Sequence, residues 1–102
     1  MCWKIKKEMA KFWLGDVPPN KVFWFHDGKS VKNLDEFGKL LLEISDETFH
    51  HHVAEDNNDF SNWVRDVIGD MTLAKELRKA TSRATTARKV EARVNRLRSR
   101  LK

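Results

Sequence analysis

The chain has 102 residues, 40% apolar and 34% charged, with four Trp and six Phe, which suffices for one small domain with its own core and argues against disorder throughout. No apolar run approaches the roughly 18 residues of a membrane span, because Lys4, Lys6, Lys7, Glu8 and Lys11 interrupt the hydrophobic N-terminal stretch, so neither a span nor a signal peptide is expected. The 20 Lys and Arg outnumber the 15 Asp and Glu, and the single cysteine, Cys2, excludes an internal disulfide and fits a reducing cytoplasm.

Residues 3–13 set Ile5, Met9, Phe12 and Trp13 at helical spacing among lysines, predicting an amphipathic helix that stops near Gly15. Its apolar side is expected to pack on protein; peripheral contact with an anionic membrane surface is the other use of such a segment. The prolines of Asp16-Val17-Pro18-Pro19-Asn20 impose an extended connector. Residues 22–25 are aromatic and β-branched, Asp27-Gly28 suits a tight turn, and residues 30–32 return as a partner strand, giving a small hairpin.

Three capped helices are predicted next. Asn33 with Glu36 resembles a capping box, and Leu34, Phe37, Leu40, Leu41 and Ile44 recur on one face. Ser45 caps a short helix carrying Phe49, His50, His51, His52 and Val53, which the polar residues 55–58 end as a loop. Asp59 is the expected cap of a third, in which Phe60, Trp63, Val64, Val67 and Ile68 form a buried face, with Gly69 closing it and Asp70 opening the next helix.

From Met71 to Lys102 no Gly or Pro intervenes, so one helix of about 48 Å at 1.5 Å per residue is expected. Residues 1–73 hold 9 basic and 13 acidic side chains, net −4, whereas residues 74–102 hold 11 basic and 2 acidic, net +9. Leu73, Leu77, Ala80, Ala84, Ala87, Val90, Val94, Leu97 and Leu101 trace a heptad-like seam with one phase slip between Ala87 and Val90. The first two turns are expected to fold back on the domain; beyond Thr81 the seam is expected to meet an external partner, so that Val94→Asp or Leu97→Asp abolishes docking and leaves the domain folded.

The runs Phe23-Trp24-Phe25-His26-Asp27-Gly28-Lys29, Lys32-Asn33-Leu34, Asp46-Glu47-Thr48-Phe49, His52-Val53 and the block from Asn58 to Asp70 resemble a small domain of archaea and some bacteria with Asn-Asp-Phe-(Ala or Ser)-Asn-Trp at its centre. Trp24 departs from the pattern, where a smaller aromatic is expected. The resemblance spans about half the chain, is most specific over residues 58–69, and implies a fold boundary rather than a chemistry. For a methanogen it further implies a small accessory protein on the cytoplasmic side of the corrinoid-dependent, sodium-pumping membrane methyltransferase complex.

Catalysis finds no support. There is no Gly-x-Ser-x-Gly elbow and no Gly-rich phosphate loop among four glycines, and Asp59, Asp66 and Asp70 read as caps or as a partner for Arg65. Three consecutive histidines on a helix point about 100° apart and cannot share an ion; a Glu47, His51 and Glu55 stripe is a weak alternative, and no metal or cofactor is expected. His52, Asn62, Arg65 and Asp66 form either a recognition surface or a network fixing the turn at Asn57 and Asn58.

The expectation is an α+β domain, mainly helical, with a small β-hairpin, short helices and a long basic C-terminal helix. It divides into an N-terminal segment (1–20), a compact domain (21–80) and a basic extension (81–102). The favoured function is that of a non-catalytic cytoplasmic accessory or regulatory protein, docking on a larger protein complex that is soluble or held at the cytoplasmic face of a membrane. The docking residues are Leu77, Arg83, Arg88, Val90, Val94, Arg96, Leu97, Arg100 and Leu101. The alternative is a nucleic-acid or ribosome binder with the basic helix on phosphates.

Overall fold

The computed structural model describes residues 5–102, so Cys2 and Trp3 lie outside the described residues. Over that range the chain is α+β and mainly helical, with six α-helices and two small antiparallel strand pairs. No described helix is long and apolar enough to cross a membrane.

The N-terminal helix α1 (Lys7–Leu14) ends at Gly15 and buries Ala10 fully, with Trp13 and Leu14 packed against the core. A short 3-10 turn, Pro19–Lys21, leads to β1 (Phe23–Trp24), which pairs with β2 (Ser30–Val31) in the register Phe23 with Val31 and Trp24 with Ser30. The connection is a longer loop than the tight turn expected from Asp27-Gly28. Phe25 N–H donates to the Lys29 carbonyl, enclosing His26, Asp27 and Gly28, and Gly28 takes the φ of +94° that such a three-residue loop needs at its last position. Phe23 and Phe25 alternate inward past exposed Trp24, and their rings meet Phe37 and Phe60.

The caps decide where helices start. Asn33 Oδ1 accepts the Glu36 N–H to open α2 (Leu34–Leu41), and Ser45 Oγ accepts the Thr48 N–H to open α3 (Asp46–His52). The predicted loop after α3 is instead a second hairpin, β3 (Val53–Ala54) with β4 (Asn57–Asn58). The next cap falls one residue before the expected Asp59: Asn58 Oδ1 accepts the Ser61 N–H, and its amide donates to the Leu77 carbonyl. Asp59 thus becomes the first residue of α4 (Asp59–Trp63), which widens into a π-turn over Val64–Ile68, closed by Gly69 N–H donating to Val64 O at 2.7 Å. Gly69 has φ +91° and ends the helix, as expected.

Two expectations for the C-terminal third are overturned. The single helix is two: α5 (Met71–Lys79), capped by Asp70, and α6 (Arg83–Ser99), capped by Ser82 Oγ accepting the Thr85 N–H, with Ala80 extended between them. The break needs no Gly or Pro, because the Ser82 side chain offers the backbone an end to the first helix and a start to the second. The seam is also not an external surface. Leu77, Val90, Val94 and Leu97 are buried in the same hydrophobic cluster as Phe37, Phe60 and Trp63, so residues 81–102 belong to the domain rather than extending from it. A charge at Val94 or Leu97 therefore enters the domain's own core. Leu101 alone of the predicted apolar docking residues stays exposed, at 38%.

The most extensive helix contact is between α2 and α6. At Gly38 the approach is tight: a Cβ there would stand 3.1 Å from Val90 Cγ1. Alanine in a helix interior gains about 1 kcal/mol over glycine, but here the added methyl meets a fully buried β-branched side chain. Gly38→Ala is expected to destabilise the wild-type chain and to stabilise a Val90→Ala background, as read from urea denaturation of the four-member cycle. Stabilisation of equal size in both backgrounds would mean that the helices are not in close contact.

Candidate nucleic-acid interface

The two C-terminal helices run antiparallel, as their ion pairs require: going up α6, Lys89 meets Glu76 at 3.4 Å and Arg93 then meets Asp70, at the far end of α5. Asp70 is fully buried, and Arg93 engages it through both Nε (2.6 Å) and Nη2 (3.0 Å), while its Oδ1 also accepts the Leu73 N–H. Two further arginines tie α6 to the opposite side of the fold. Arg83 donates to Asp46 and to the carbonyls of Leu41 and Leu42 at the end of α2, and Arg98 meets Asp35 at 3.0 Å. A hydrogen bond from Lys39, together with the positive charge of Arg98 and Lys39, outweighs burial and holds the Asp35 carboxyl below the usual range. Its stabilisation is accordingly present above the ordinary carboxylate pKa and is lost as pH falls through the lowered one.

The remaining C-terminal cations, Lys75, Arg78, Lys79, Arg88, Arg96, Arg100 and Lys102, are exposed and form no ion pair among the described residues. On α6 the buried residues Val90, Val94 and Leu97 fix the inward face, which turns Arg88 and Arg96 outward; on α5, Leu73, Ala74 and Leu77 do the same for Lys75 and Lys79. Of the predicted docking residues, Arg88, Arg96 and Arg100 thus face water, whereas Arg83 is occupied within the fold. A groove of about 200 Å³ between α2 and α6 is bordered by Asp35, Lys39, Glu91 and Arg98, so its charges largely cancel and it does not select an anion.

His52, Asn62, Arg65 and Asp66 are not brought together as one surface. His52 is buried; its Nε2 accepts the His26 N–H at 2.9 Å, which leaves Nδ1 as the protonated nitrogen donating to Asp59 Oδ2 at 3.1 Å. Asn57 Nδ2 donates to the other Asp59 oxygen, and Asn62 Nδ2 donates to Asn57 Oδ1. His52 and Asn62 are therefore the ends of one network that locks the β1–β2 loop and the β3–β4 hairpin to α4. Arg65 and Asp66 pair with each other on the π-turn through two hydrogen bonds of 2.8 and 3.0 Å. That pairing raises the Arg65 pKa and lowers that of Asp66. His51 stacks on His26 with ring centroids 3.7 Å apart. Among the described residues, no three His, Cys, Asp or Glu side chains are grouped to hold a metal ion.

One corner was not singled out from sequence as a place where elements meet. Trp13 of α1 lies under Arg93, whose guanidinium carbon is 5.6 Å from the ring centroid, and its buried indole N–H is the one buried side-chain polar atom without a partner among the described residues. Phe12, next to it on α1, and Met71, at the start of α5, are exposed. Comparison with family models, curated proteins and solved structures finds no match to this chain.

The Arg93 and Asp70 pair gives a direct test of how α5 and α6 are held. Arg93→Met leaves a buried carboxylate without its cation and is expected to cost about 3 to 5 kcal/mol. Arg93→Met with Asp70→Asn, which keeps the cap acceptor, is expected to recover most of that loss in denaturant melts. A single variant no less stable than the double variant would show that the pair does not hold the hairpin.

Proposed function

We propose that the protein is a non-catalytic binding module whose outward α5–α6 face engages the sugar-phosphate backbone of a nucleic acid. The observation that carries this reading is the division of labour on α6: its apolar side is committed to the core, and the cations left in water include Arg88, Arg96 and Arg100 on one side of the same helix. Phosphate contact needs cations that are accessible, close together and not already neutralised, and the α5–α6 hairpin supplies them on two adjacent rods. Docking on a larger cytoplasmic or membrane-associated protein complex is the competing reading. It depended chiefly on the Val90, Val94 and Leu97 seam and now has to use the same cations against an acidic protein surface.

Fluorescence anisotropy of labelled RNA and DNA separates the two. Phosphate binding releases counterions, so six or so contacts are expected to lose on the order of a thousandfold in affinity between about 50 and 200 mM salt. Arg88→Ala, Arg96→Ala and Arg100→Ala should each flatten the salt dependence by about one unit of slope or slightly less, without changing the melting temperature. Absence of nucleic-acid binding, with salt-dependent association to an acidic protein instead, would favour docking and contradict this reading.

A further inference from the structure

Phe12 is the most exposed large apolar side chain among the described residues, at 66%, although the opposite face of α1 is buried through Ala10. Phe12 Cε2 lies 3.9 Å from where a Cβ on Gly69 would stand, so one edge of the ring lies near the turn between α4 and α5, and Gly69 has no side chain with which to cover it. Met71, two residues beyond that turn, is 54% exposed, and Met9, three residues before Phe12 on α1, is exposed as well. Met9 and Phe12, at i and i+3 on α1, share a helix face.

The α5–α6 face reaches this corner through Arg93. Trp13, next to Phe12, lies under Arg93, and Arg96 and Arg100 follow Arg93 along one flank of α6 at helical spacing. Lys75 follows Met71 by one turn on α5. The open Phe12 ring is thus linked through Trp13 and Arg93 to the helix that carries the unpaired Arg96 and Arg100, and an exposed aromatic face used together with such cations is how proteins hold unstacked bases and track their phosphates. A duplex keeps its base faces stacked on one another and offers none to such a ring, whereas a single strand can turn a base out.

We infer that the partner is single-stranded nucleic acid, with a base stacked on the open face of Phe12 and neighbouring phosphates on Arg96, Arg100 and Lys75. This rests on the phosphate-binding reading above and narrows it.

The test is anisotropy of the full chain with a labelled oligouridylate of about 12 nucleotides and with a hairpin duplex of similar length. Phe12→Ala and Phe12→Leu are expected to weaken single-strand binding roughly ten- to hundredfold, with little effect on the duplex and no change in salt slope, and Phe12→Trp to retain it. Thermal melts within a few degrees of wild type confirm that these surface variants are folded. Duplex bound as tightly as single strand, with Phe12→Ala neutral while Arg96→Ala and Arg100→Ala weaken both, overturns this inference and leaves the phosphate reading standing. Full recovery with Phe12→Leu also overturns it, because an apolar contact rather than stacking then accounts for the loss. Failure to bind either nucleic acid overturns both.

Discussion

Close approach of α2 and α6 at Gly38 is the constraint on which the rest of the structure depends. Glycine at that position lets Val90 reach the backbone of α2, and burial of Val90, Val94 and Leu97 against Leu34, Phe37 and Leu41 then follows from the helical repeat. Each fully buried aliphatic or aromatic side chain contributes about 1.5 to 3 kcal/mol relative to exposure, so a helix that brings three such residues is a principal part of the core and not an appendage. The aromatic centre formed by Phe23, Phe25, Phe37 and Phe60 lies beneath the same α2 surface and is closed by the hairpin loop that His52 holds.

Fixing α6 in this way also sorts its charges. Residues on the flanks reach acidic partners on neighbouring elements: Arg83 to Asp46, Arg98 to Asp35, Lys89 to Glu76 and Arg93 to Asp70. These pairs differ in weight. The three at the surface are screened by water and are worth little individually, whereas Asp70 is fully buried and depends on Arg93 for its charge compensation. The outward cations Arg88, Arg96 and Arg100 form no ion pair among the described residues, so the mildly acidic body neutralises one side of the basic segment and leaves the other side largely positive.

Much of this architecture was legible from local chemistry. Asn33, Ser45 and Asp70 announced helix starts because a short polar side chain satisfies a free N–H wherever the chain enters a helix, and Gly69 announced a helix end because it takes positive φ at no steric cost. At Asn58 and Asp59 two cap-competent residues stand side by side, and the choice was made by distant partners: Asn58 reaches the Leu77 carbonyl and Asp59 reaches His52. The break at residues 80–82 was obscured because it carries no Gly or Pro, and only the cap bond from the Thr85 N–H to Ser82 marks it as a boundary. The β3–β4 hairpin was hidden in a polar stretch whose two-residue strands carry no apolar alternation. For the candidate site, the seam was read correctly as an apolar stripe, but periodicity tells which face of a helix is apolar and not what covers it. The exposed cations of α5 and α6 were legible as charge; the corner at Phe12 was not, since it arises where α1, the Gly69 turn and α6 meet in space.

The central claim is that the C-terminal helix builds the core and thereby turns its cations outward. Thermal and urea unfolding of a chain ending after Thr81 tests it most directly. Loss of α6 is expected to abolish the cooperative transition and expose dye-binding apolar surface on α2. A truncated chain that unfolds cooperatively near the midpoint of the full-length protein would contradict the account, because the helix would then be dispensable to the fold and its apolar seam free for another partner.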